Sequence, residues 1–199
     1  MNISVFGRLR AIAAAAFLFA ATVSAAIVPA AAGPISQHAV DADVLIQAGK
    51  PDEALDAFER ATEALWAAIP LHCRTATFAQ TVTGFSQYEP RRDTRFRSGD
   101  AATVYLEPVG YRFMTDRETF RVALATRVEI RTADGLIMAM TDDFGDLGWE
   151  GQSPNRQVHA SIATTLPDLK PGDYLLRVTL VDRASDESTN VTLPFAIVE

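Results

Sequence analysis

An acidic and aromatic segment carries the residues best suited to bind a ligand. It spans 141–155 and contains Asp142, Asp143, Phe144, Asp146, Trp149 and Glu150. Aromatic rings stack on sugars or on the rings of a partner protein, and carboxylates accept hydrogen bonds from hydroxyl groups. The segment is longer than a tight turn requires, and long connections in compact domains often serve binding. This composition predicts a loop that contacts a protein or a glycan.

Two other interpretations of this loop stay open. Its carboxylates suit Ca²⁺, although they do not recur at the alternate positions that an EF-hand loop requires. Alternatively, Phe144 and Trp149 fold inward and cap one end of the domain, while the acids remain solvated. A large loss of stability on replacing Trp149 by alanine would favour this second interpretation.

A cluster of arginines is the second candidate binding site. Arg91, Arg92, Arg95 and Arg97 lie around Phe96. Guanidinium groups bind carboxylates or phosphates in a forked geometry. Arginine is also the usual cation of this chain, since its 18 bases are 16 Arg and two Lys. The cluster is therefore interpreted either as an anion site or as an exposed loop with Phe96 in the core.

The sequence lacks the common signatures of catalysis. It contains no Gly-x-Ser-x-Gly, His-Glu-x-x-His or P-loop motif. His38, His72 and His159 have no partner at metal-ligand spacing. Cys73 is the only cysteine, and its apolar neighbours predict burial. We therefore expect a non-enzymatic protein that holds no metal or cofactor.

The first 32 residues have the plan of a cleavable export signal. Arg8 and Arg10 precede an apolar run over 11–23 and then small residues. An uncleaved membrane anchor is the alternative, because the uncharged stretch is about long enough to span a bilayer. Its alanine-rich composition and Pro29 favour cleavage. We expect a periplasmic or secreted protein that contacts the membrane only through this segment before cleavage.

The charge of the chain argues against nucleic acid as a partner. The net charge is −7, and removing Arg8 and Arg10 leaves 16 bases against 25 acids, or −9. Binding to a phosphate backbone needs clustered cations. Residues 33–73 are especially acidic, with seven acids and two bases.

The periodicity of apolar residues predicts two kinds of element. Residues 36–69 have helical spacing, with Gly49 ending one helix and Pro51 beginning the next. We predict a helical hairpin within 33–73. Its apolar face, including Trp66, is expected to pack on the following domain and to cover a sheet edge or one end of it.

Alternation of apolar and polar residues predicts the rest of the chain. It is clearest over 120–130, 174–180 and 191–197, and Asp134-Gly135 is a hairpin turn signal. Shorter runs lie at 75–82, 101–107, 136–140 and 157–165. About seven short strands separated by turns indicate an antiparallel β-sandwich over 74–199.

The last two predicted strands resemble those of an immunoglobulin-like or fibronectin-like domain. The residues that carry the resemblance are Leu169, Pro171, Gly172, Asp173, Tyr174, Leu176, Val178, Leu180, Asp182, Phe195 and Ile197. It implies that Tyr174 is a corner tyrosine, whose hydroxyl bonds to the backbone a few residues upstream. The sequence as a whole, with its segment from Tyr105 to Tyr111, also resembles small exported proteins of Gram-negative bacteria whose function is unassigned.

The helical part resembles the second half of a tetratricopeptide unit. The matching residues are Leu45, Gly49, Lys50, Asp52, Glu53, Ala54, Phe58 and Ala61. The unit occurs once, whereas a peptide-binding array needs about three repeats. We therefore expect a single hairpin beside an immunoglobulin-like sandwich.

These features together predict a binding or structural accessory protein of the cell envelope. The expected partner is a periplasmic protein, contacted through the 141–155 loop. The alternative is a module that binds a carbohydrate or an anionic ligand through the same loop or through Arg91, Arg92 and Arg95.

Overall fold

A computed structural model describes residues 33–142 and 144–199. The predicted export signal, residues 1–32, lies outside the described residues, as does Asp143. Among the described residues, no helix is both long enough and apolar enough to cross a membrane.

The predicted helical hairpin is confirmed. Helix α1 spans Pro34–Gln47 and helix α2 spans Pro51–Ala68. Gly49, with φ of 73°, adopts the left-handed conformation that commonly ends a helix. The residues buried within the hairpin are alanines: Ala42, Ala54, Ala57 and Ala61. Their small side chains allow the two helices to lie close together.

Eleven strands follow the hairpin in the described chain. They are β1 His72–Gly84, β2 Gln87–Pro90, β3 Arg95–Arg97, β4 Ala101–Val109, β5 Met114–Asp116, β6 Thr119–Thr132, β7 Ile137–Thr141, β8 Asp146–Gly151, β9 Ala160–Thr165, β10 Gly172–Asp182 and β11 Ser188–Val198. All seven predicted strands are present. The four additional strands, β2, β3, β5 and β8, are three to six residues long.

The strands form a mainly antiparallel sandwich of two sheets. The smaller sheet has the order β2-β1-β4-β9, and the larger has the order β3-β11-β10-β6-β5, with β7 and β8 also paired to β6. Strand β3 pairs in parallel with β11. Because β3 follows β2 in the chain, the backbone crosses there from the smaller sheet to the larger one. The predicted fold class is confirmed.

The core lies between the inward faces of the two sheets. Val104 and Leu106 from β4, and Leu176, Val178 and Leu180 from β10, are completely buried. The Phe78 and Phe96 rings meet edge to face, with their centroids 5.1 Å apart. Burial of this apolar surface is the main stabilising contribution to the sandwich.

Tyr174 is a corner tyrosine, as the resemblance to immunoglobulin-like domains implies. Its hydroxyl donates a hydrogen bond of 2.9 Å to the carbonyl of Lys170, four residues upstream. Its ring stacks on Phe195 of the neighbouring strand, with a centroid separation of 5.7 Å. The side chain therefore ties the turn before β10 to the sheet.

The predicted packing of the hairpin needs correction. Trp66 packs against the core of the sandwich, as expected. Leu55, Phe58 and Leu65 instead remain 63%, 60% and 47% exposed. The physical reason is that the two helices bury their alanine faces against each other, which turns most of the larger side chains outward.

The predicted 141–155 loop also needs correction, because six of its residues form strand β8. Leu147 pairs with Leu124, and Trp149 pairs with Val122, on β6. The edge of β6 offers unpaired backbone groups beyond β7, and pairing satisfies them. Leu147 and Trp149 alternate toward the core, where both are partly buried. Strand β8 therefore continues the sheet edge that β7 begins.

Candidate functional site

An aromatic groove lies beside the end of α2. It has a volume of about 240 Å³, which is room for a small ligand or for part of a larger one. The side chains that matter most in its wall are Trp66, Tyr111, Arg112, Phe113, Phe120 and Arg156. We call this site the aromatic groove.

Hydrogen bonds hold the two central rings of the groove in place. Trp66 Nε1 donates to the carbonyl of Tyr111 at 2.8 Å, and the two rings meet edge to face with centroids 5.0 Å apart. The Tyr111 hydroxyl donates to the carbonyl of Asn155 at 2.8 Å. Burial raises the pKa of Tyr111 well above its ordinary value, so this hydroxyl remains protonated. These rings are preorganised apolar surface.

The aromatic contacts extend from Tyr111 toward strand β8. The Phe113 centroid lies 5.6 Å from that of Tyr111, 6.2 Å from Phe120 and 6.5 Å from Trp149. All three pairs meet edge to face, the arrangement that the ring quadrupole favours. Trp149 thus supports the groove through Phe113.

Gly110 brings Tyr111 close to the end of α2. Its φ is 79°, and a Cβ added there would lie 2.4 Å from the carbonyl oxygen of Pro70. Both the left-handed backbone and the close approach require glycine. The residue following β4 therefore fixes the spacing between Tyr111 and the helix end.

Arg112 clamps the hairpin to the sandwich. Its backbone N–H donates to Asp182 Oδ2 at 2.7 Å, and its guanidinium donates to the carbonyls of Trp66 and Gly110. It also pairs with Glu187 at 3.4 Å. With these partners, Arg112 has a structural role in the groove wall.

Arg156 differs from Arg112 in that its Nε has no hydrogen-bond partner among the described residues. Its guanidinium carbon lies 5.9 Å from the centroid of the Trp66 ring. Its Nε is buried, and within 33–142 and 144–199 it has no hydrogen-bond partner. Leaving a buried donor unpaired costs about 1–3 kcal/mol, and more for a charged group. Arg156 also lines the aromatic groove, so its guanidinium adds positive charge to that wall.

The residues predicted to bind through the 141–155 segment are spread along the sheet edge. Phe144 donates its backbone N–H to Thr126, whereas Trp149 pairs with Val122. Asp142 is exposed and pairs with Arg127. Asp146 begins β8. Phe144 and Trp149 are both partly buried against the core, which agrees with the inward-folded interpretation of these rings.

The predicted arginine cluster is partly occupied by internal contacts. Phe96 is 1% exposed, as one of the two interpretations expects. The Arg91 guanidinium lies 4.2 Å from the Phe96 centroid, pairs with Asp93 and donates to the carbonyl of Arg95. Arg92 and Arg95 are exposed. The structure therefore leaves only part of this cluster for a ligand.

Cys73 and the histidines form no reactive group in the described chain. Cys73 packs against the core, and burial raises its pKa to about 11, whereas His72 is exposed. His159 stacks beside Tyr105 with a centroid separation of 5.9 Å. In the described ranges, no group of three or more His, Cys, Asp or Glu could hold a metal ion.

A buried carboxylate at Glu107 escapes prediction from the sequence. It is 3% exposed and accepts hydrogen bonds from four side chains: Arg74 at 2.9 Å, Thr75 at 3.1 Å, Ser86 at 2.9 Å and Tyr105 at 2.7 Å. Burial alone would raise the pKa of Glu107, but these donors outweigh it and lower the pKa to about 2. Because four side chains donate hydrogen bonds to the carboxylate, we interpret Glu107 as a residue that stabilises the fold.

The aromatic groove also escapes prediction from the sequence. Trp66 and Arg156 are 90 positions apart, and no local motif joins them. The usable local signal is Gly110-Tyr111-Arg112-Phe113, in which two aromatic residues flank a cation shortly after the strand predicted over 101–107. That pattern indicates a functional strand end, but it does not identify the facing helix.

Comparisons with known proteins give only weak similarities. No protein-family model and no curated protein matches the chain. Among solved structures, it is similar to the C-terminal domain of wzt, with 14% identity and a TM-score of 0.39 over 67% of this chain and 77% of that one. It is also similar to the Pseudomonas fluorescens alkylpurine DNA glycosylase AlkC bound to DNA containing an abasic site analog.

That second similarity has 9% identity and a TM-score of 0.35, over 71% of this chain and 34% of the glycosylase. The chain therefore spans about a third of the glycosylase. Because both TM-scores are below 0.5, neither similarity supports a functional argument.

Proposed function

We propose that this protein is an exported, non-catalytic binding module of the cell envelope. We further propose that its aromatic groove binds a small molecule with one negatively charged group on an apolar body. The Arg156 guanidinium, which lines the groove beside the Trp66 ring, is the observation that carries the proposal. The N-terminal pattern of residues 1–32 supports export. This proposal develops the anionic-ligand alternative at a site that the sequence does not reveal.

The chemistry of the groove favours a monoanion with an apolar body. A carboxylate accepts two N–H groups from a guanidinium in a forked geometry, and the aromatic walls remove the rest of the ligand from water. Glu63 also lines the groove and is exposed. Its carboxylate would repel a second negative charge on the ligand.

The described groove residues support binding rather than catalysis. The Tyr111 hydroxyl is protonated and bonded to Asn155, and Arg112 is bonded to backbone and to Glu187. General acid–base catalysis needs a proton donor and a proton acceptor placed together against the substrate. The described part of the groove offers the Arg156 cation, the Glu63 carboxylate and apolar walls, and we propose that these groups serve binding.

Isothermal titration with matched acids and amides tests the proposal. We expect phenylacetate and hexanoate to bind at least about tenfold more tightly than phenylacetamide and hexanamide, because only the acids form a charge-assisted bond. Arg156→Met should remove this preference. Arg92→Met, which removes an exposed cation elsewhere, is the matched control. Equal affinity for acids and amides would contradict the proposal.

Contact with a periplasmic protein or a glycan through Phe144 and Trp149 stays a prediction. Both rings keep some exposed surface while packing against the core. Capture of a partner that is lost in Phe144→Ala, with thermal stability nearly unchanged, would support it.

A further inference from the structure

The helical hairpin presents an apolar stripe to solvent. Leu55, Phe58 and Leu65 lie at positions i, i+3 and i+10 of α2, so they share one face. Ile46 of α1 is 59% exposed and borders the same shallow depression as Leu55 and Phe58. We call these four residues the hairpin stripe. Exposed apolar residues grouped on one face in this way mark an interaction surface.

A row of acids runs beside the hairpin stripe. Asp52, Asp56, Glu59 and Glu63 lie at i, i+4, i+7 and i+11 of α2, which places them along one side of the helix. Within the described residues, none of the four forms an ion pair, whereas Lys50 is paired with Glu53 at 3.0 Å. The apolar surface is therefore bordered by carboxylates that form no ion pair among the described residues.

We infer that the hairpin stripe binds a basic amphipathic helix of a partner protein. The apolar side chains of the partner helix would cover Ile46, Leu55, Phe58 and Leu65. The Lys or Arg side chains of the partner helix would face the acid row. Helix α2 has 18 residues, or about 27 Å at 1.5 Å per residue, so a partner segment of about five turns would match it.

The same charges argue against two other occupants. An anionic lipid surface attracts basic segments, and it would be repelled by the acid row. A second copy of this chain would bring a second acid row toward the first, and like charges repel. Charge complementarity therefore selects a basic partner, and the acid row shares only Glu63 with the aromatic groove.

Model peptides test the inference directly. The probe is an 18-residue peptide of Leu and Lys, with Leu at i, i+3, i+4 and i+7, labelled for fluorescence anisotropy. Its controls are the same pattern built from Leu and Glu, and a Leu/Lys peptide of shuffled order. For protein expressed as the full chain, we expect the patterned Leu/Lys peptide to bind at least about tenfold more tightly than either control, because it alone satisfies both apolar and charged surfaces.

Variants of the hairpin locate the binding surface. Phe58→Ser should weaken binding of the Leu/Lys peptide about tenfold or more. The double variant Asp56→Asn/Glu59→Gln should weaken it at low salt, with a smaller effect at about 1 M salt, where charges are screened. Leu136→Ser is the matched control, since Leu136 is 64% exposed but lies before β7. Because these positions are exposed, none of the substitutions should change the melting temperature of the protein appreciably.

Four outcomes would overturn the inference. They are equal binding of the Leu/Lys and Leu/Glu peptides, unchanged binding by Phe58→Ser, a dimer in sedimentation velocity that Phe58→Ser dissociates, and Phe58-dependent binding to phosphatidylglycerol vesicles. Titration of Phe58→Ser with phenylacetate separates this inference from the proposed function. Loss of peptide binding with unchanged phenylacetate affinity would assign the two sites separately.

Discussion

Glu107 makes stability depend on pH at the scale of one residue. Its carboxylate is buried and accepts four side-chain donors, and its pKa is lowered to about 2. A carboxyl group with a lowered pKa stabilises the fold fully above its unfolded value of about 4.3, and this contribution is lost as the pH falls toward 2. Glu107→Gln should cost about 2 kcal/mol at pH 7, because it removes charge-assisted hydrogen bonds.

Urea unfolding at a series of pH values measures this effect. The difference between wild type and Glu107→Gln should shrink as the pH falls from about 5 to about 2. Glu89→Gln, at an exposed position of β2, serves as the control and should change little. A difference that stayed constant over this range would show that the charge of Glu107 contributes nothing.

Comparing substitutions at Gly110 and Gly99 distinguishes the cost of a left-handed backbone from the cost of a steric clash. Their φ values, 79° and 81°, are nearly the same. A Cβ at Gly110 would meet the Pro70 carbonyl at 2.4 Å, whereas a Cβ at Gly99 would meet nothing within 4 Å. Gly99→Ala should therefore cost about 1 kcal/mol, and Gly110→Ala about 3 kcal/mol or more. Denaturant unfolding of both variants measures this gap, and equal losses would contradict the close approach.

At the scale of elements, Glu187 fastens the hairpin to the sandwich. Its Oε2 accepts the backbone N–H of Leu71 at 3.1 Å, and its Oε1 pairs with Arg112 at 3.4 Å. Because Glu187 is partly exposed, we expect Glu187→Ala to loosen the hairpin by about 1 kcal/mol. Hydrogen exchange in α2 should then be about fivefold faster, while that in β6 and β10 is unchanged.

The matched control for this experiment is Glu89→Ala, which removes an exposed carboxylate from a strand distant in sequence. Uniformly faster exchange in the helices and in β10 would show that Glu187 supports the whole fold rather than the hairpin alone.

The long periodic elements were predictable from sequence, whereas four of the short strands, β2, β3, β5 and β8, were not. Strands β6, β10 and β11 each contain 11 or more residues, so their alternation is clear. Strand β3 has three residues, and its conformation depends on pairing with β11. Strand β8 contains Gly148 and Gly151, which resemble loop residues until the open edge of β6 is known. Pairing with a neighbouring strand therefore determines the conformation of these short strands, and the local sequence does not show that pairing.

The candidate site was less predictable than the fold for a related reason. The groove depends on how the end of α2, which carries Trp66, packs against the loops that carry Tyr111 and Arg156. The periodicity of apolar residues in the sequence does not predict this packing. Trp149, which the sequence singled out as a candidate ligand contact, reaches the groove only through Phe113.

At the scale of the whole molecule, strand β7 is an exposed apolar edge. Ile137, Met138 and Met140 are 45%, 45% and 49% exposed, and β7 pairs only with β6 among the described strands. Open edges of this kind promote association between chains. Met138→Lys should therefore raise the temperature at which light scattering begins, while the melting temperature measured by circular dichroism changes little.

Gln80→Lys adds the same charge at another exposed position and controls for net charge. If both lysine variants delayed scattering equally, colloidal repulsion rather than the edge of β7 would be the cause.

The run of aromatic contacts around Phe113 allows intrinsic tryptophan fluorescence to report on this part of the protein. Its two tryptophans, Trp66 on the hairpin and Trp149 on β8, both belong to that run. Intrinsic emission therefore records the junction between helix and sandwich, whereas far-ultraviolet dichroism records the strands. The two unfolding curves coincide only if hairpin and sandwich unfold as one cooperative unit. An earlier transition in emission would identify the hairpin as a separately detachable part.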